Sequence, residues 1–476
     1  MIDALAVFDI GKTNIKLSLV DARGRELAVH RRANEVVEGG LYPHHDVDAM
    51  ESWLLDKLGE LARKAHISAI VPVTHGATAA LVDDDGLVLP IADYEQDFAI
   101  VQSALSVAAC EEYDALRPPF AQTFSPGLGL GLNLGRQLYW QQQRYPEAFG
   151  RARRLLMYPQ YWAWRLCGVA AGEATSLGCH TDLWQPAHGA YSSLVESCGW
   201  SQLMPPLQPA WAELGNLHPH LAQRTGLPLD CRVLCGVHDS NASLLRYLDR
   251  RANGPRVVLS TGTWLIAAAL DGRLDSLQEQ SDMLANVNVL GEPVACMRFM
   301  GGREFAELAG ASPQVCSEAD LQVLVDNQSM ALPCFSDAGG PFSGRQGCLT
   351  GVSPQTAAGR YALATLYCVL MTEYCLEQLQ APGAVVLEGS FIANPYFAAL
   401  LAGASGEREV FCSEDGNGTT VGGWMLRHWQ EPRRNEALAA LKQVKPLRLR
   451  GWDAYRDAWR VAVAALARRE DAACPV

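Results

Sequence analysis

Hydrophobic and polar positions in the first part of the chain follow the period of strands and then that of a helix. Residues 4–20 combine an apolar run, a polar turn containing glycine and a second stretch of alternation, which predicts a β-hairpin. Residues 46–66 place apolar side chains at helical spacing, with Asp48 and Glu51 at the spacing of a capping box. A buried strand, SAIVPVTHGAT, follows this helix. Strands and helices in this order predict an α/β domain.

A second hairpin pattern occupies residues 256–270 and resembles the first. In both, a strand enters a small polar turn with glycine at its centre, an apolar strand leaves, and a further turn follows, at 21–25 or 270–273. A weak repeat with a period of ~250 residues would indicate two domains of like construction. A chance likeness of two hairpins explains the same pattern, so both interpretations stay open here.

The last part of the chain predicts further helices and strands. Residues 357–380 have the pattern of a helix, and a strand at 384–387 follows it. GTTVGGWMLR, at 418–427, is interpreted as a strand. The final segment predicts an amphipathic helix whose apolar side chains share one packing face: Trp452, Tyr455, Trp459, Val463 and Leu466. The tail REDAACPV is expected to be loose.

Composition and charge narrow the class of protein. The chain has 476 residues, which suggests two or three domains, and its formal charge is 39 − 52 = −13. A chain of this length can bury sizeable cores, which argues against disorder and disulfide scaffolds. Its acidity argues against nucleic-acid and anionic-membrane partners. The longest apolar stretch, residues 361–371, is well short of the ~18 residues that a membrane span needs.

The 14 cysteines indicate a reducing compartment, because no pair has the C-x-x-C spacing of zinc or redox sites. We expect unpaired thiols and a cytoplasmic location. Cys231 and Cys235 are expected on one face of a strand as small buried groups. The N-terminus lacks the basic region of a signal peptide.

The turn of the first hairpin is a candidate phosphate site. Gly11-Lys12-Thr13 looks like the end of a Walker A loop, but Ala6 occupies the position of its first glycine and the intervening residues are strand. A hairpin tip can still direct N–H and hydroxyl donors at phosphate. Asp9 could face a hydrated Mg²⁺ or stabilise the turn, and the spacing does not decide between these roles.

Two further polar segments follow apolar strands. Asp239 or Ser240 would cap the helix that starts after Cys235-Gly236-Val237-His238, and Asp239 could also act as a general base. His75 ends a strand where α/β sheets bind ligands, although a hydrogen-bonded edge histidine is an alternative. The run His44-His45-Asp46 is interpreted as a solvated loop and helix cap rather than a metal cluster.

Taken in order, these segments resemble the FGGY family of carbohydrate kinases, in the sugar kinase/actin/Hsp70 fold group. Asp9-Ile10-Gly11-Lys12-Thr13-Asn14-Ile15-Lys16 resembles the first phosphate motif. His75-Gly76 resembles a substrate loop, and Gly236-Val237-His238-Asp239 resembles the motif with the catalytic base. Ser260-Thr261-Gly262-Thr263 resembles the second phosphate motif. Glu388-Gly389-Ser390, with Asn394, stands where the family binds adenine. Gly422-Gly423 fits the small-residue start of a helix that follows.

The sequence departs from the family pattern at three places. Lys12 stands where most members have Thr or Ser, and Glu388 replaces the first glycine of the adenine loop. Asp93-Tyr94-Glu95 only loosely resembles the Trp-x-Asp-x-Arg substrate segment, and it has no Arg. The layout around 90–97 also resembles rhamnulose- and fuculose-kinase relatives.

The resemblance implies two RNase H-like (actin-like ATPase) domains with an interdomain cleft. It implies a sugar-binding domain at 1–245, a nucleotide-binding domain at 246–450 and a C-terminal helix and tail at 451–476. Asp239 would be the general base, and Asp9 would hold Mg²⁺ through water. The sugar-binding residues would be His75, Gly76, Asp93 and His238. The ATP- and phosphate-binding residues would be Gly11, Lys12, Thr13, Asn14, Lys16, Thr261, Gly262, Thr263, Gly389, Ser390 and Asn394.

The implied activity is ATP-dependent phosphorylation of a hydroxyl group on a small ketose or deoxy-ketose. The cofactors would be ATP and Mg²⁺, the partner a small-molecule sugar, and the Trp-rich composition leaves room for a homodimer. The alternatives are a non-catalytic ATP- and sugar-binding sensor and an actin-like polymer subunit. The presence of Asp239 favours the enzyme.

Overall fold

The computed structural model describes residues 2–98, 104–248, 256–336, 339–381, 383–404, 408–413, 416–431 and 441–467. The chain forms two compact units. The first comprises Met1–Leu248, Ala285–Pro293 and Asn417–Leu438. The second comprises Asp249–Leu284, Val294–Gly416 and Ala439–Val476. Each unit is therefore assembled from separate parts of the sequence.

The first unit is built on a mixed seven-stranded sheet. In pairing order its strands are Glu213–Asn216, Arg232–Leu234, His66–Thr74, Asp3–Ile10, Asn14–Asp21 and Glu26–Ala33, with Val237–His238 also pairing with His66–Thr74. The predicted hairpin is confirmed, and Asp9 stands opposite Lys16 in its register. The strands Asp3–Ile10 and His66–Thr74 are parallel, which brings Asp9 and Ile10 beside Val73 and Thr74. Their carboxyl ends therefore lie together.

Helices and short ribbons surround this sheet. The helices are Val47–Ala62, Ala104–Leu116, Phe120–Thr123, Leu134–Arg144, Pro146–Phe149, Tyr158–Cys167, Ala174–Leu177, Ser193–Ser197, Pro219–Thr225, Asp239–Leu244 and Gly418–Arg427, with 3₁₀ turns at Ser201–Leu203 and Leu245–Tyr247. The ribbons are Val36–Val37 with His44–His45, Ala79–Val82 with Arg154–Met157, and Trp184–Gln185 with Ala190–Tyr191. Alternate side chains of the sheet and the apolar faces of its helices form the core.

The second unit has a sheet with the same opening hairpin. In pairing order its strands are Met283–Val287, Pro293–Phe299, Leu265–Ala269, Val257–Thr261, Val385–Gly389, Val410–Ser413 and Leu441–Gln443. A ribbon pairs Met330–Leu332 with Cys348–Thr350. The helices are Gly301–Ala309, Glu318–Asp326, Ala357–Gln378, Phe397–Ala404 and Trp452–Ala467, with 3₁₀ turns at Leu274–Ser276, Glu279–Ser281 and Ser390–Ala393. The second predicted hairpin is confirmed.

The predicted helices near 357–380 and at the C-terminal end are also confirmed. The stretch 361–371 is buried within Ala357–Gln378. In the last helix Trp452, Tyr455, Trp459 and Val463 are buried, and Leu466 is half-buried. The tail, residues 469–476, lies outside the described residues.

The structure corrects several expectations. The helix at Val47 is capped by Asp46, whose side chain accepts the Ala49 N–H, so the Asp48–Glu51 capping box is wrong. Residues 418–427 form a helix, not a strand. Cys231 and Cys235 are buried as expected but flank the strand Arg232–Leu234. The described cysteines are free thiols except Cys348, which is disulfide-bonded.

The helix at 418–427 contains glycine because its backbone packs very closely against the rest of the first unit. A Cβ atom on Gly422 would lie 2.1 Å from the carbonyl oxygen of Ala242, and one on Gly423 would lie 2.8 Å from the side chain of Val7. A strand pattern of small and β-branched residues was therefore misleading. The glycines serve a close approach between helices, which local propensity does not report.

Candidate active site

Asp9 is held at the end of the first strand by two polar partners. The Lys16 ammonium lies 3.4 Å from Asp9 Oδ2, and the Thr419 hydroxyl donates to the same oxygen at 2.5 Å. Burial raises the pKa of Asp9, and Lys16 and Thr419 oppose that rise. Thr419 was missed in the sequence because it lies 410 residues from Asp9 and on a segment interpreted as a strand.

The hairpin tip uses one of its backbone donors internally. The Gly11 N–H donates to the Asn14 carbonyl at 2.9 Å, and the Asn34 side chain donates to the Gly11 carbonyl at 2.8 Å. The turn itself therefore occupies the Gly11 N–H, and the assignment of Gly11 to phosphate stays a prediction. Thr13 and Asn14 are exposed, and the Asn14 amide donates to the Thr13 hydroxyl at 3.0 Å.

Lys12 joins the hairpin tip to the segment expected to bind sugar. Its ammonium is ion-paired with Asp93 and lies 3.3 Å from Glu95 Oε2. The same ammonium lies 5.2 Å from the ring centroid of Tyr94, a cation–π distance. A residue assigned to phosphate and one assigned to sugar are thus in direct contact, and Tyr94, which sequence reasoning did not assign, lies against both.

Asp239 begins the helix Asp239–Leu244, directly after the strand Val237–His238. His238, not Asp239 or Ser240, is the N-cap residue, so the predicted cap is wrong by one position. Asp239 Oδ1 accepts the Ser240 N–H at 2.5 Å and lies 3.3 Å from His238 Nε2. Burial raises the pKa of Asp239, while His75 opposes the rise. A carboxylate with a raised pKa that is still ionised at neutral pH is a stronger base than an exposed one.

His75 and His238 are buried, and burial favours the neutral form of each imidazole. His75 follows the strand His66–Thr74, and its Nδ1 lies 3.0 Å from the Gly76 carbonyl oxygen. Burial lowers the pKa of His75 and lowers that of His238 to about 4. Gly76 must be small, because a Cβ there would lie 3.0 Å from His238 Nε2 and 3.1 Å from Cys179 Sγ. Three of the predicted sugar-binding residues therefore lie together with Asp239.

His45 joins the same group, although its run was interpreted as a solvated loop. That interpretation is wrong for His45, which is 2% exposed. Its ring lies 5.3 Å from the ring of His75 and stacks on Tyr158 at 5.5 Å. Burial lowers its pKa. Only Asp46 of this run has the expected capping role.

A buried hydrogen-bonded chain supports the backbone before Asp239. Glu173 Oε2 accepts from the Thr175 hydroxyl at 2.5 Å, and the Thr175 oxygen accepts the His238 N–H at 3.1 Å. Burial raises the pKa of Glu173 to about 7. Neither residue was singled out in the sequence, because nothing local distinguishes them from an ordinary helix start.

In the second unit, the predicted phosphate turn is also internally bonded. The Gly262 N–H donates to the Trp264 carbonyl at 2.9 Å, and the assignment of Gly262 to phosphate stays a prediction. The Thr261 hydroxyl donates to the Glu388 carbonyl at 2.5 Å and accepts the Phe391 N–H at 3.1 Å. Thr263 is exposed at the tip.

Gly389, Ser390 and Asn394 continue from this turn. A Cβ on Gly389 would lie 2.0 Å from the Thr261 carbonyl oxygen, and its φ of +89° also favours glycine. The Ser390 hydroxyl donates to that carbonyl at 3.4 Å. Asn394 is buried; its side chain donates to Thr365 at 2.9 Å and accepts from the start of the next helix. The structure brings these predicted residues to the same end of the sheet as Thr261.

Comparison with known families covers nearly all of this architecture. Residues 4–245 match the N-terminal domain of the FGGY family of carbohydrate kinases. Residues 253–436 match the model described as carbohydrate kinase FGGY, C-terminal domain. The chain belongs to the FGGY family of carbohydrate kinases. The family resemblance and the actin-like ATPase fold implied by it are thereby confirmed.

Curated FGGY relatives share only part of their length with this chain. L-fuculokinase of Salmonella typhi is 25% identical over 282 residues, which cover 58% of this chain and 58% of the relative. A probable D-xylulose kinase A of Aspergillus terreus is 25% identical over 174 residues, covering 34% and 30% of the two chains.

Solved FGGY structures match over the whole length. A carbohydrate kinase from Novosphingobium aromaticivorans is 35% identical, with a TM-score of 0.89 and coverage of 98% of this chain and 99% of that one. A ligand-bound xylulose kinase from Lactobacillus acidophilus, 14% identical with a TM-score of 0.79 and the same coverage, shows the fold alone. Within the described residues, no helix of this FGGY protein combines the length and apolarity that crossing a membrane requires.

Proposed function

We propose that this protein transfers the terminal phosphoryl group of ATP to a hydroxyl group of a small ketose or deoxy-ketose. The observation that carries the proposal is the grouping of Asp239 with His75 and His238 at the carboxyl ends of adjacent parallel strands in an FGGY protein. Ligands of open α/β sheets bind at such strand ends. The fuculokinase and xylulose kinase names of the relatives support the choice of sugar class.

Asp239 is the general base in this proposal. Sugar hydroxyl groups scarcely ionise near neutral pH, so a base must take the proton as the new O–P bond forms. The oxygen of the sugar hydroxyl group attacks the terminal phosphorus of ATP. The bond between that phosphorus and the ADP oxygen breaks, and the hydroxyl proton passes to the Asp239 carboxylate. Burial raises the pKa of Asp239, and a higher pKa makes its carboxylate a stronger base.

Phosphate charge is offset by the two hairpin turns and a magnesium ion. Lys16 and Thr13 in the first unit, with Thr263 in the second, are the proposed phosphate contacts, and Gly389 and Ser390 lie at the proposed adenine side. A single carboxylate suits Mg²⁺, which keeps several water ligands and takes others from phosphate oxygens. The Asp9 carboxylate, which is half-buried and lies 3.4 Å from the Lys16 ammonium, fits that role. When bound, the ion neutralises charge on the phosphate oxygens.

The experiment that tests the proposal is a coupled ADP-release assay with the Asp239→Asn variant. A panel of pentuloses, hexuloses, 6-deoxy-ketoses and alditols first identifies a sugar that the wild-type protein phosphorylates. Asp239→Asn then lowers kcat by ~10²–10⁴-fold, the usual range for a general base, with ATP binding intact. Asp230→Asn, an exposed carboxylate nearby in sequence, is the matched control and retains activity. Near-normal turnover by Asp239→Asn would remove that residue from the mechanism.

The second candidate is a sensor that binds ATP and sugar without turnover. The contacts of Lys12 favour this second candidate. Its ammonium is already paired with the carboxylates of Asp93 and Glu95, so it would have to leave them in order to bind phosphate. Sugar-independent ATP binding, with no ADP released by any sugar of the panel, would support the sensor. The domain ranges, a homodimer and a cytoplasmic location stay predictions from the sequence.

A further inference from the structure

The cluster around His75 contains more unsatisfied polar atoms than an ordinary protein interior. Within the described part of the chain, neither ring nitrogen of His45 has a hydrogen-bond partner, and Nε2 of His75 has none either. Both side chains are more than nine-tenths buried. Buried polar atoms of this kind are rare in proteins, because leaving them unpaired costs free energy. A group that is not part of the chain is therefore expected between them.

The position of His45 is fixed by the segment that carries Asp93. The His45 N–H donates to the Ile91 carbonyl at 2.9 Å, and the Asp93 N–H donates to the Pro43 carbonyl at 3.0 Å. These two hydrogen bonds tie the segment 43–45 to the segment 91–93. His45 thus faces His75 because the backbone holds it there, and Tyr158 stacks on its ring.

The ring nitrogens define what kind of group fits. Nδ1 of His75 lies 3.0 Å from the Gly76 carbonyl oxygen, which can only accept, so Nδ1 carries the hydrogen and Nε2 is an acceptor. A neutral His45 offers one N–H donor and one acceptor nitrogen. A hydroxyl group can donate to one imidazole and accept from the other at the same time. A carboxylate or phosphate oxygen can only accept, so it would leave His75 Nε2 unpaired.

Charges of both signs lie near the two histidines. Lys12 acts electrostatically on both imidazoles, and Asp239 acts on His75. The Lys12 ammonium is itself ion-paired with Asp93 and lies 3.3 Å from Glu95 Oε2. The choice of a hydroxyl group as the bound group therefore depends on the ring nitrogens and not on the surrounding charge.

We infer that His45 is a sugar-binding residue that, together with His75, holds one hydroxyl group of a neutral polyol substrate. His75 Nε2 accepts the hydrogen of that hydroxyl group, and a ring N–H of His45 donates to its oxygen. The inference rests on the proposed kinase function and deepens it. It names a residue outside the segments that carry the resemblance to the FGGY family.

The test combines His45 variants with substrates that lack single hydroxyl groups. His45→Phe keeps an aromatic ring for Tyr158 but removes both nitrogens, so KM for the accepted sugar rises at least ~10-fold while kcat changes little, as expected for lost ground-state binding. His45→Gln, which retains a donor and an acceptor, recovers part of the loss. In the absence of sugar, His45→Phe does not lower the midpoint temperature of thermal unfolding, because the substitution removes unpaired polar atoms.

Deoxy analogues identify the hydroxyl group. The analogue that lacks the contacted hydroxyl has the same KM with wild type and His45→Phe, whereas the other deoxy analogues retain the difference. His220→Phe is the matched control. The His220 ring also belongs to a histidine pair, 5.4 Å from the ring of His218, but it is exposed. The KM of the His220→Phe variant for the sugar is expected to equal that of the wild type.

The outcomes separate this inference from the proposed function. A wild-type protein that phosphorylates no sugar of the panel refutes both. An active wild type whose KM is unaffected by His45→Phe and His45→Gln refutes the role of His45 alone. So does a KM difference that no deoxy analogue abolishes, since His45 would then act on the sugar only indirectly.

Discussion

At the scale of single residues, burial controls the chemistry more than the identity of the side chain does. Asp9, Glu173 and Asp239 are carboxylates whose pKa values burial raises, whereas Asp275, exposed and paired with Arg273, has a lowered pKa. The sequence shows only that an Asp or Glu is present. It does not show which of them lie where water is scarce, and that property decides which can act as a base near neutral pH.

The pKa of Asp239 predicts an acid limb in the pH profile. Only the ionised carboxylate can accept a proton, and burial raises its pKa above 3.8. As pH falls through that pKa, log kcat/KM falls with unit slope; as pH rises above it, activity reaches a plateau. Steady-state kinetics between pH 4.5 and pH 8 measure the limb.

Unfolding at low pH would also reduce activity, so the control for this profile is a measurement of how much protein stays folded at each pH. His45, His75 and His238 have lowered pKa values in the folded protein, so the unfolded chain binds more protons below its ordinary His pKa and stability falls as pH falls. Circular dichroism at each pH separates unfolding from loss of the base. Residual activity of Asp239→Asn with an unchanged acid limb would contradict the assignment.

At the scale of elements, the sequence predicted best where local pattern and tertiary role agree. Both phosphate-motif hairpins were predicted, because the apolar runs and glycine turns that form them are also what the sheet needs. The helix Ala357–Gln378 was predicted for the same reason. The helix Gly418–Arg427 was wrongly predicted as a strand. Its glycines allow close contact with Ala242 and Val7, and those residues lie far away in the sequence. His45 and Thr419 were missed for the same physical reason.

The glycine contact of that helix makes a sharp prediction. In Gly422→Ala, the new Cβ would meet the Ala242 carbonyl oxygen at 2.1 Å, so the helix must move away from the one that begins at Asp239. We expect a loss of about 1–3 kcal/mol in the free energy of unfolding, the usual cost of overpacking, despite the higher helix propensity of alanine. Activity falls too, because Thr419 moves away from Asp9.

Gly39→Ala is the matched control for this substitution. Among the described residues other than Gly39 and its two chain neighbours, no heavy atom lies within 4 Å of the new Cβ. Urea denaturation should place Gly39→Ala within about 0.5 kcal/mol of the wild type. Equal stability of the two alanine variants would show that the helix does not pack as closely as described.

At the scale of the whole molecule, the units are not continuous stretches of sequence. The first unit includes Asn417–Leu438 from late in the chain. The ranges expected from the sequence, 1–245 and 246–450, are continuous and place this segment in the second domain. Sequence patterns could predict that two hairpin-opened sheets exist. They could not predict that the helix Gly418–Arg427, which lies in the chain between two strands of the second sheet, belongs to the first unit, since that depends on contacts that form only in the folded chain.

This arrangement predicts the behaviour of a fragment. Residues 2–248 alone lack the helix Gly418–Arg427, so Val7, Ala242 and the backbone near them lose a buried neighbour. We expect this fragment to unfold without cooperativity and to be cleaved rapidly by a protease. Linking residues 416–438 to it through a flexible Gly/Ser linker should restore protection. Cooperative unfolding of the unlinked fragment would contradict the division of the chain.

The late position of this helix also bears on how the protein is made. A ribosome releases residues in order, and the first unit cannot bury Val7 under Gly423 until the segment 418–427 has emerged from the exit tunnel. Through most of its synthesis the nascent chain therefore presents an apolar face that the finished protein conceals. Ribosomes stalled before codon 418 should carry chains bound to chaperones, and those stalled after the last helix should not.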